Sequence, residues 1–452
     1  MEKRNHITSN LKLFVLLLGL LFLLFAAISC GTTGQEAEPE QDDSYKEEQE
    51  DGADWRTTGI ISDYITFNNG EQEIELALCV SQNRLALYYN SEEQTLFAQM
   101  EALGVNYNCY YGGDLTAGDL TGDGCDELWL RFASDDGTDY NYIYTWNSVT
   151  SQFEQYHYTA LSEINPYVIK ADVKAYLSEE EITLFQSFLD GIFSQKETIE
   201  LSDDYDANLR VQTAIQYSPY WFFVESDTFT DDHSALNLTY TYDRAKQKEM
   251  RTFMDNEMLN IINSVIVYPG MNELEKTLAV YGYFAEHIAY DYEWLDGLNM
   301  TDDKFLYPDI EIYQALSTGK GVCHSYAYLC EFALQQLGVE CLRVSGHMTD
   351  DPESGHMWLL VKIDGEYYHC DPTWDSNEIY GCGLQYFGMT DEQRVASGVE
   401  IDYTSIDGAY GSIVCDDNRF APFRNVCSFE LQPEHQISLY TETSGSSSFK
   451  TE

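Results

Sequence analysis

The chain has 452 residues, 77 acidic and 24 basic side chains, and a formal net charge of -53. Nucleic acids and anionic membrane surfaces select for basic faces, so neither is expected as an electrostatic partner. Aromatic residues make up 14% of the chain, 35 of them tyrosine, so most of it folds despite the charge, and the length accommodates about three domains.

Lys3, Arg4 and Lys12 form a basic start, followed by an apolar run of 16 residues from Leu13 to Ile28. A spanning helix needs about 20 residues, so the run reads as a targeting segment. Ala27-Ile28-Ser29-Cys30 resembles a bacterial lipobox. That resemblance implies removal of residues 1–29 as a signal peptide and acylation of Cys30. The chain is then lipid-anchored at the extracytoplasmic face of a bacterial cell membrane. An uncleaved signal anchor is the alternative, and it also leaves the remainder outside the cytoplasm. Residues 30–55 carry acids without apolar periodicity: ten Asp or Glu stand against one Lys between Gly31 and Trp55. This composition predicts a disordered, self-repelling tether.

Residues 56–155 alternate β-branched and aromatic residues between Asn, Gly and Asp turns, in YITF, EIELALCV, RLALYY, DELWLRF and YNYIYTW. The pattern predicts a small β module. Its loop Asp119-Leu-Thr-Gly-Asp-Gly-Cys-Asp-Glu127 places Asp119, Thr121, Asp123 and Glu127 at positions 1, 3, 5 and 9, with Gly124 at position 6 and the Cys125 carbonyl at position 7. A tight loop with that spacing points oxygens at a hard cation, which makes Ca2+ a candidate ligand. An Asx-rich hairpin turn is the other reading. The loop resembles the calcium loops of integrin-like FG-GAP and VCBS repeats in one copy, departing from them at Thr121 and Glu127.

Residues 156–268 read as a helical and mixed connector. A 3.6-residue apolar face marks a helix over 179–193, introduced by Ser178 and three glutamates. Asp203 to Asp206 reads as an exposed acidic loop, YSPYWFF (217–223) and ALNLTYTY (235–242) as strands, and 243–266 as a helix. Pro269-Gly270 then breaks the chain, and a helix over 272–288 leads to Tyr290-Asp291.

The chemistry-bearing residues follow. A glycine-rich approach, Thr318-Gly-Lys-Gly321-Val, precedes Cys323, and Tyr326, Ala327, Leu329, Cys330, Ala333, Leu334 and Leu337 trace one helical face up to Gly338. Cys323 therefore falls at a helix start, where free N–H groups and the positive end of the dipole favour a thiolate. Asp364-Gly365 predicts a two-residue hairpin turn between MWLLVKI and EYYHCD. Pairing outward from Ile363 and Glu366 brings His356 and Asp371 to one face as diagonal neighbours. The opposite face, Met357, Leu359, Val361, Ile363, Tyr368 and Cys370, is mainly apolar and suits packing on the Cys323 helix. A thiol, an imidazole and a carboxylate so placed suit thiol acyl chemistry: Cys323 attacks a carbonyl, His356 carries the proton and Asp371 orients the imidazole. His324, His347 and His369 are not expected as the base. Zinc is disfavoured by the absence of C-x-x-C and H-E-x-x-H units.

These pieces, G-V-C-x-x-Y-A, G-H-x-W and D-P-T-W-D, separated by 33 and 15 residues, resemble the transglutaminase-core superfamily over about Asn272 to Asp375. The resemblance implies an α+β, papain-like transglutaminase core over 269–443, with the Cys-bearing helix packed on an antiparallel sheet. It implies a Cys323–His356–Asp371 triad with Tyr326, Trp358 and Trp374 as cleft support, and catalysis without a cofactor. A peptide, protein or cell-wall peptide is the implied substrate. Hydrolysis by a cysteine protease or amidase is slightly favoured over crosslinking by a protein-glutamine acyltransferase. A non-catalytic surface binding module on the same fold is the alternative.

Setting aside Cys30 and Cys323, nine cysteines remain, an odd set that cannot all pair within one chain. Cys415 with Cys427 is the expected pair; a reducing habitat would leave every thiol free. Thr390 to Arg394 reads as a short capped helix, Tyr386 or Phe387 as a cleft or packing residue, and 444–452 as a frayed tail. Oligomeric state is not readable from the sequence.

Overall fold

The computed structural model describes residues 60–81, 84–89, 92–93, 114–133, 139–293, 310–377, 381–402, 413–441 and 446–450. The expected signal peptide, the Cys30 acylation site and the acidic tether lie outside them. Among the described residues no helix is long and apolar enough to cross a membrane.

Two antiparallel meanders come first. One is β1 (Ile60–Asn68), β2 (Glu73–Ser81), β3 (Arg84–Tyr89) and β4 (Glu92–Glu93); the other is β5 (Asp114–Gly118), β6 (Glu127–Ala133), β7 (Asp139–Asn147) and β8 (Gln152–Tyr156). Alternation along the strands sends Phe67, Ile74, Leu76 and Leu87 of the first sheet, and Leu128, Leu130, Tyr144 and Phe153 of the second, into one core. The intervening residues Trp129 and Ile143 join a second, larger core, where Trp129 meets Tyr268 edge-on at 5.6 Å. The second sheet is thus apolar on both faces.

Downstream, Ser178 caps the helix Glu179–Phe193 and exchanges hydrogen bonds with Glu181, while Phe185, Phe188, Leu189 and Ile192 are buried. One expectation holds in part here and another fails. The acidic run at 203–206 is exposed as expected but is not all loop: Asp204 accepts from the N–H groups of Asp206 and Ala207 and opens the helix Tyr205–Gln216. YSPYWFF is not a strand but a helix end followed by a 3-10 turn at Trp221–Phe223, with β10 (Val224–Phe229) beginning beyond it. β10 pairs with β11 (Ala235–Tyr240), which pairs with β9 (Thr198–Glu200). The helices Arg244–Val265 and Glu273–His287 follow the pattern, capped by Asp243 and Asn272.

The part that carries the site is built from the helix Cys323–Gln336 against a four-stranded antiparallel sheet. That sheet runs in the order β16 (Glu366–Cys370), β15 (Gly355–Ile363), β14 (Cys341–Met348), β19 (Val399–Asp402). Asp364 and Gly365 have φ of 51° and 90°, the left-handed pair a two-residue hairpin requires, and Ile363 pairs with Glu366. Leu359, Val361, Ile363, Tyr368 and Cys370 face the core shared with Tyr326, Leu329 and Cys330. The other face, Leu342, Val344, Trp358, Leu360 and Val399, closes a separate cluster with Cys415. The whole is a mixed α/β fold with helices packed on antiparallel sheets.

A last sheet, β20 (Val426–Gln432), β21 (Gln436–Thr441) and β22 (Ser446–Lys450), includes residues expected to be frayed. Phe449 explains the difference: its ring packs at 6.0 Å on Phe420 and 5.1 Å on Phe423. The β20–β21 turn also bridges to other elements. Pro433 fills the space a side chain on Gly118 would need, His435 Nδ1 lies 3.0 Å from Glu275, and Arg131 donates to the Leu431 carbonyl. Cys415 and Cys427 are both free, which corrects the expected disulfide: the Cys415 backbone N–H donates to Asp391, and the Cys427 thiol points at the Tyr440 carbonyl.

Candidate active site

Cys323 is the first residue of its helix and is 6% exposed. Its approach is fixed by backbone pairing: β12 (Ala289–Tyr290) runs parallel to β13 (Lys320–Gly321), and Asp291 N–H donates to the Gly321 carbonyl at 2.9 Å. Glycine is required at 321 because a Cβ there would lie 2.4 Å from Ser325 Oγ, the atom that accepts the Val322 N–H. Tyr326 is fully buried and its hydroxyl donates to the Ile288 carbonyl, tying the Cys323 helix to the end of helix Glu273–His287.

Asp371 follows β16 directly and is fully buried. Its Oδ1 accepts from Thr373 and Trp374 N–H at 3.2 and 3.4 Å, capping the turn Pro372–Asp375. Its Oδ2 accepts from His356 Nε2 at 2.6 Å and from Arg394 Nη2 at 2.7 Å. Donation through Nε2 leaves Nδ1 for the Cys323 thiol, with which the imidazole is hydrogen-bonded. Burial pulls the His356 pKa down, but the charge and hydrogen bond of Asp371, with the Cys323 contact, outweigh it and push the value up to about 9. Burial likewise opposes ionisation of Asp371, yet His356 and Arg394 hold it below the usual carboxylate range. Trp374 stacks on His356 at 4.8 Å and 14°, and Trp358 at 5.6 Å and 24°. His356 thus bonds Asp371 and is flanked by Trp358 and Trp374, while Tyr326 lies in the core beneath the Cys323 helix.

Residues 262–372 match the family model described as the transglutaminase-like superfamily. The chain is related to that superfamily. A mouse protein, kyphoscoliosis peptidase, is 29% identical over 127 residues, which are 26% of this chain and 18% of that protein. The chain thus spans about a fifth of this curated relative. A solved structure described as a TGase overlaps 39% of this chain and 48% of its own, at 17% identity and a TM-score of 0.24, too partial to bear on the fold.

Three further histidines lie in or near this transglutaminase-like segment. His324 is half-buried, and burial, Arg343 and His356 push its pKa down to about 4, so it stays neutral. His347 pairs with Glu400 at 3.3 Å away from the thiol. His369, Asp391 and Cys415 have ligand atoms within 4.8 Å of one another, the one such group among the described residues. Its hydrogen bonds oppose a metal. Trp358 Nε1 can only donate, and it donates to His369 Nδ1 at 2.8 Å; the proton therefore sits on Nε2, which faces Asp391 at 2.9 Å. A cation at Nε2 would displace that proton and leave an imidazolate.

Phe387 is fully buried against Tyr281, Phe420 and Phe423, so it packs. Tyr386 is half-buried and meets Trp374, the indole stacked on His356, edge-on at 5.0 Å. Two groups close to the site escaped the sequence reading. Asp375 is buried, accepts from Tyr281 Oη at 2.5 Å and Tyr386 N–H at 2.8 Å, and has its pKa raised to about 7 by burial. Arg394 sits in a helix of six residues, too short for periodicity to show which side faces inward.

In the Asp119–Glu127 loop, Asp119 accepts from the N–H groups of Gly122, Asp123 and Gly124, and Asp123 from Cys125. Glu127 Oε2 accepts from Leu120 and Thr121, while Oε1 has the Thr121 hydroxyl at 3.4 Å. Burial raises the Glu127 pKa to about 7.

Proposed function

We propose that the chain is a cysteine-dependent acyl-transfer enzyme acting on peptide or protein amides. The observation that carries this reading is the imidazole of His356 held between the Asp371 carboxylate and a thiol at a helix start. Cys323 gives its proton to His356 Nδ1 and its sulfur attacks the amide carbonyl. The developing oxyanion faces the N–H groups of the helix's first turn, and His356 returns the proton to the leaving amine. Water then opens the thioester in hydrolysis, or an amine does so in crosslinking. Hydrolysis is the favoured branch because a peptidase among the relatives supports a peptide substrate, and no amine-acceptor site is marked among the described residues. The other reading, a non-catalytic binding module, does not use the His356 contacts. The test is incubation of the full chain with an unfolded protein and a fluorescent primary amine, read by peptide mass spectrometry. New termini mean peptidase action, one-dalton gains at Gln or Asn amidase action, and amine adducts crosslinking. None of these above a Cys323→Ser control would defeat the enzyme reading.

We also propose that the protein is a lipid-anchored, extracytoplasmic one, as its first 30 residues suggest. Mass determination of the N-terminal peptide, with protease accessibility in intact cells, checks this: an acylated Cys30 supports the lipid anchor and an unmodified Met1 start rejects it, while protection from added protease rejects the extracytoplasmic location. Calcium is proposed as a structural ligand of the β module, where the donor set is all oxygen. Its test uses Glu127. A carboxyl whose pKa rises from 4.5 to about 7 binds extra protons in the folded state between those values, so stability falls as pH rises through that window. The loss is roughly 3 kcal/mol from this group. Without calcium, the difference in stability between Glu127→Gln and wild type should grow from pH 4.5 to pH 8 by that order in denaturant titrations. Millimolar Ca2+ should restore the wild type at pH 8 and leave the variant unmoved; no calcium response would remove the metal from the account.

A further inference from the structure

Arg394 is fully buried, and its guanidinium lies 4.2 Å from the ring centre of Trp358 and 4.4 Å from that of Trp374, the two indoles that also stack on His356. Nη2 donates to Asp371 Oδ2, whereas Nε and Nη1 have no hydrogen-bond partner among the described residues. A buried arginine used as general scaffolding engages several acceptors, as Arg424 does with the carbonyls of Phe387 and Gly388. Arg394 has one, and it is the oxygen that faces the imidazole. The turn that presents it is locked on the other side: Asp391 receives His369 Nε2 and the Cys415 N–H, its own N–H donates to the Cys415 carbonyl at 2.8 Å, and Thr390 caps the helix. The His369–Asp391–Cys415 group thus fixes the position of Arg394.

We propose that Arg394 is a positioning residue that shares Asp371 Oδ2 with His356 and so limits how tightly the carboxylate holds the imidazolium. The proposal rests on the enzyme reading above. A buried carboxylate with the imidazolium as its sole cation would retain the proton that the leaving amine needs. A permanent second cation on the same oxygen weakens that hold while keeping Asp371 ionised. The other groups around the pair do not supply it. Burial keeps His324 and His369 neutral, Tyr290 and Tyr386 are held protonated by burial, and Asp375 is an acid. Arg343 is paired with Glu331 at 2.7 Å.

The readout is the alkylation rate of Cys323 by iodoacetamide against pH in the full chain, kept in detergent. Its upper inflection reports loss of the His356 proton. In Arg394→Gln, which keeps an N–H donor and drops the charge, that inflection should move to higher pH by at least about one unit. Arg394→Lys should bring it back towards the wild-type position. A purely structural role would lower stability in both variants without moving the inflection, and an unmoved inflection in folded Arg394→Gln overturns the proposal. If neither variant folds, the 15N signals of the Arg394 guanidinium in the wild type decide: a shift that follows the His356 midpoint supports the sharing, and no response rejects it. Alkylation indifferent to His356→Ala is a different result, because it removes the enzyme reading itself and the proposal with it.

Discussion

Cys323→Ser should leave the protein folded and remove at least ~10³-fold of its turnover on a peptide amide. The exchange replaces one small buried atom by a smaller one, so thermal stability should move by no more than about 1 kcal/mol. The chemistry changes far more: a neutral hydroxyl is a weak nucleophile, and unlike a thiol it does not ionise in the range where the neighbouring imidazole titrates. In the wild type Asp371 and the Cys323 contact keep His356 an imidazolium up to about pH 9, beside a sulfur placed at a helix start. Cys323 should therefore react with iodoacetamide near neutral pH well ahead of the buried thiols Cys330, Cys341 and Cys370, and His356→Ala should abolish the advantage. Labelling at one common slow rate, unaffected by His356→Ala, would shift the weight to a binding module.

Asp371 separates stability from activity through two substitutions. Asp371→Ala strands the buried guanidinium of Arg394 and uncaps the turn at Pro372–Asp375, so it should destabilise by about 3–5 kcal/mol. Asp371→Asn keeps an oxygen for the Thr373 and Trp374 N–H groups but turns its NH2 toward Arg394, so it should destabilise less than alanine, yet lose ~10²–10⁴-fold in turnover because the imidazolium loses its counter-charge. The acid limb of stability gives an independent check. A carboxyl held below its ordinary range contributes stability that is present above pH ~4 and lost as pH falls through the folded value. That limb should shrink in Asp371→Asn. His356 has the opposite sign: its raised pKa contributes stability present below pH 6.5 and lost as pH rises through about 9. Denaturant midpoints from pH 2 to pH 10 measure both; equal acid limbs in wild type and Asp371→Asn would contradict the assignment of the carboxylate.

What could be read in the sequence is what depends on near neighbours. Asp364-Gly365 fixed a turn, the turn fixed a register, and the register brought His356 to Asp371 without any knowledge of the rest of the fold. The capped helices at 179–193 and 273–287 were legible for the same reason. The exposure of Asp204 was legible but its capping role was not, because an exposed aspartate looks the same in a loop and at a helix start until the helix behind it packs. YSPYWFF was misread because its aromatic content suits a strand, whereas packing of Tyr220, Phe222 and Phe223 holds it as a turn. Arg394 lies 23 residues beyond Asp371, and no local period connects them. A buried cation declares itself only through the carboxylate and indoles that surround it.

The β20–β21 turn has a consequence for descent. It and the end of β20 meet Gly118 and Arg131 of the second upstream sheet and Glu275 of the helix leading to the thiol segment. Recombination that exchanged the upstream sheets alone would bring a foreign surface against Pro433 and the Leu431 carbonyl, and a length change in the turn would disturb both sides together. The three contacts therefore favour joint inheritance of the elements they link, with the joint accumulating paired substitutions.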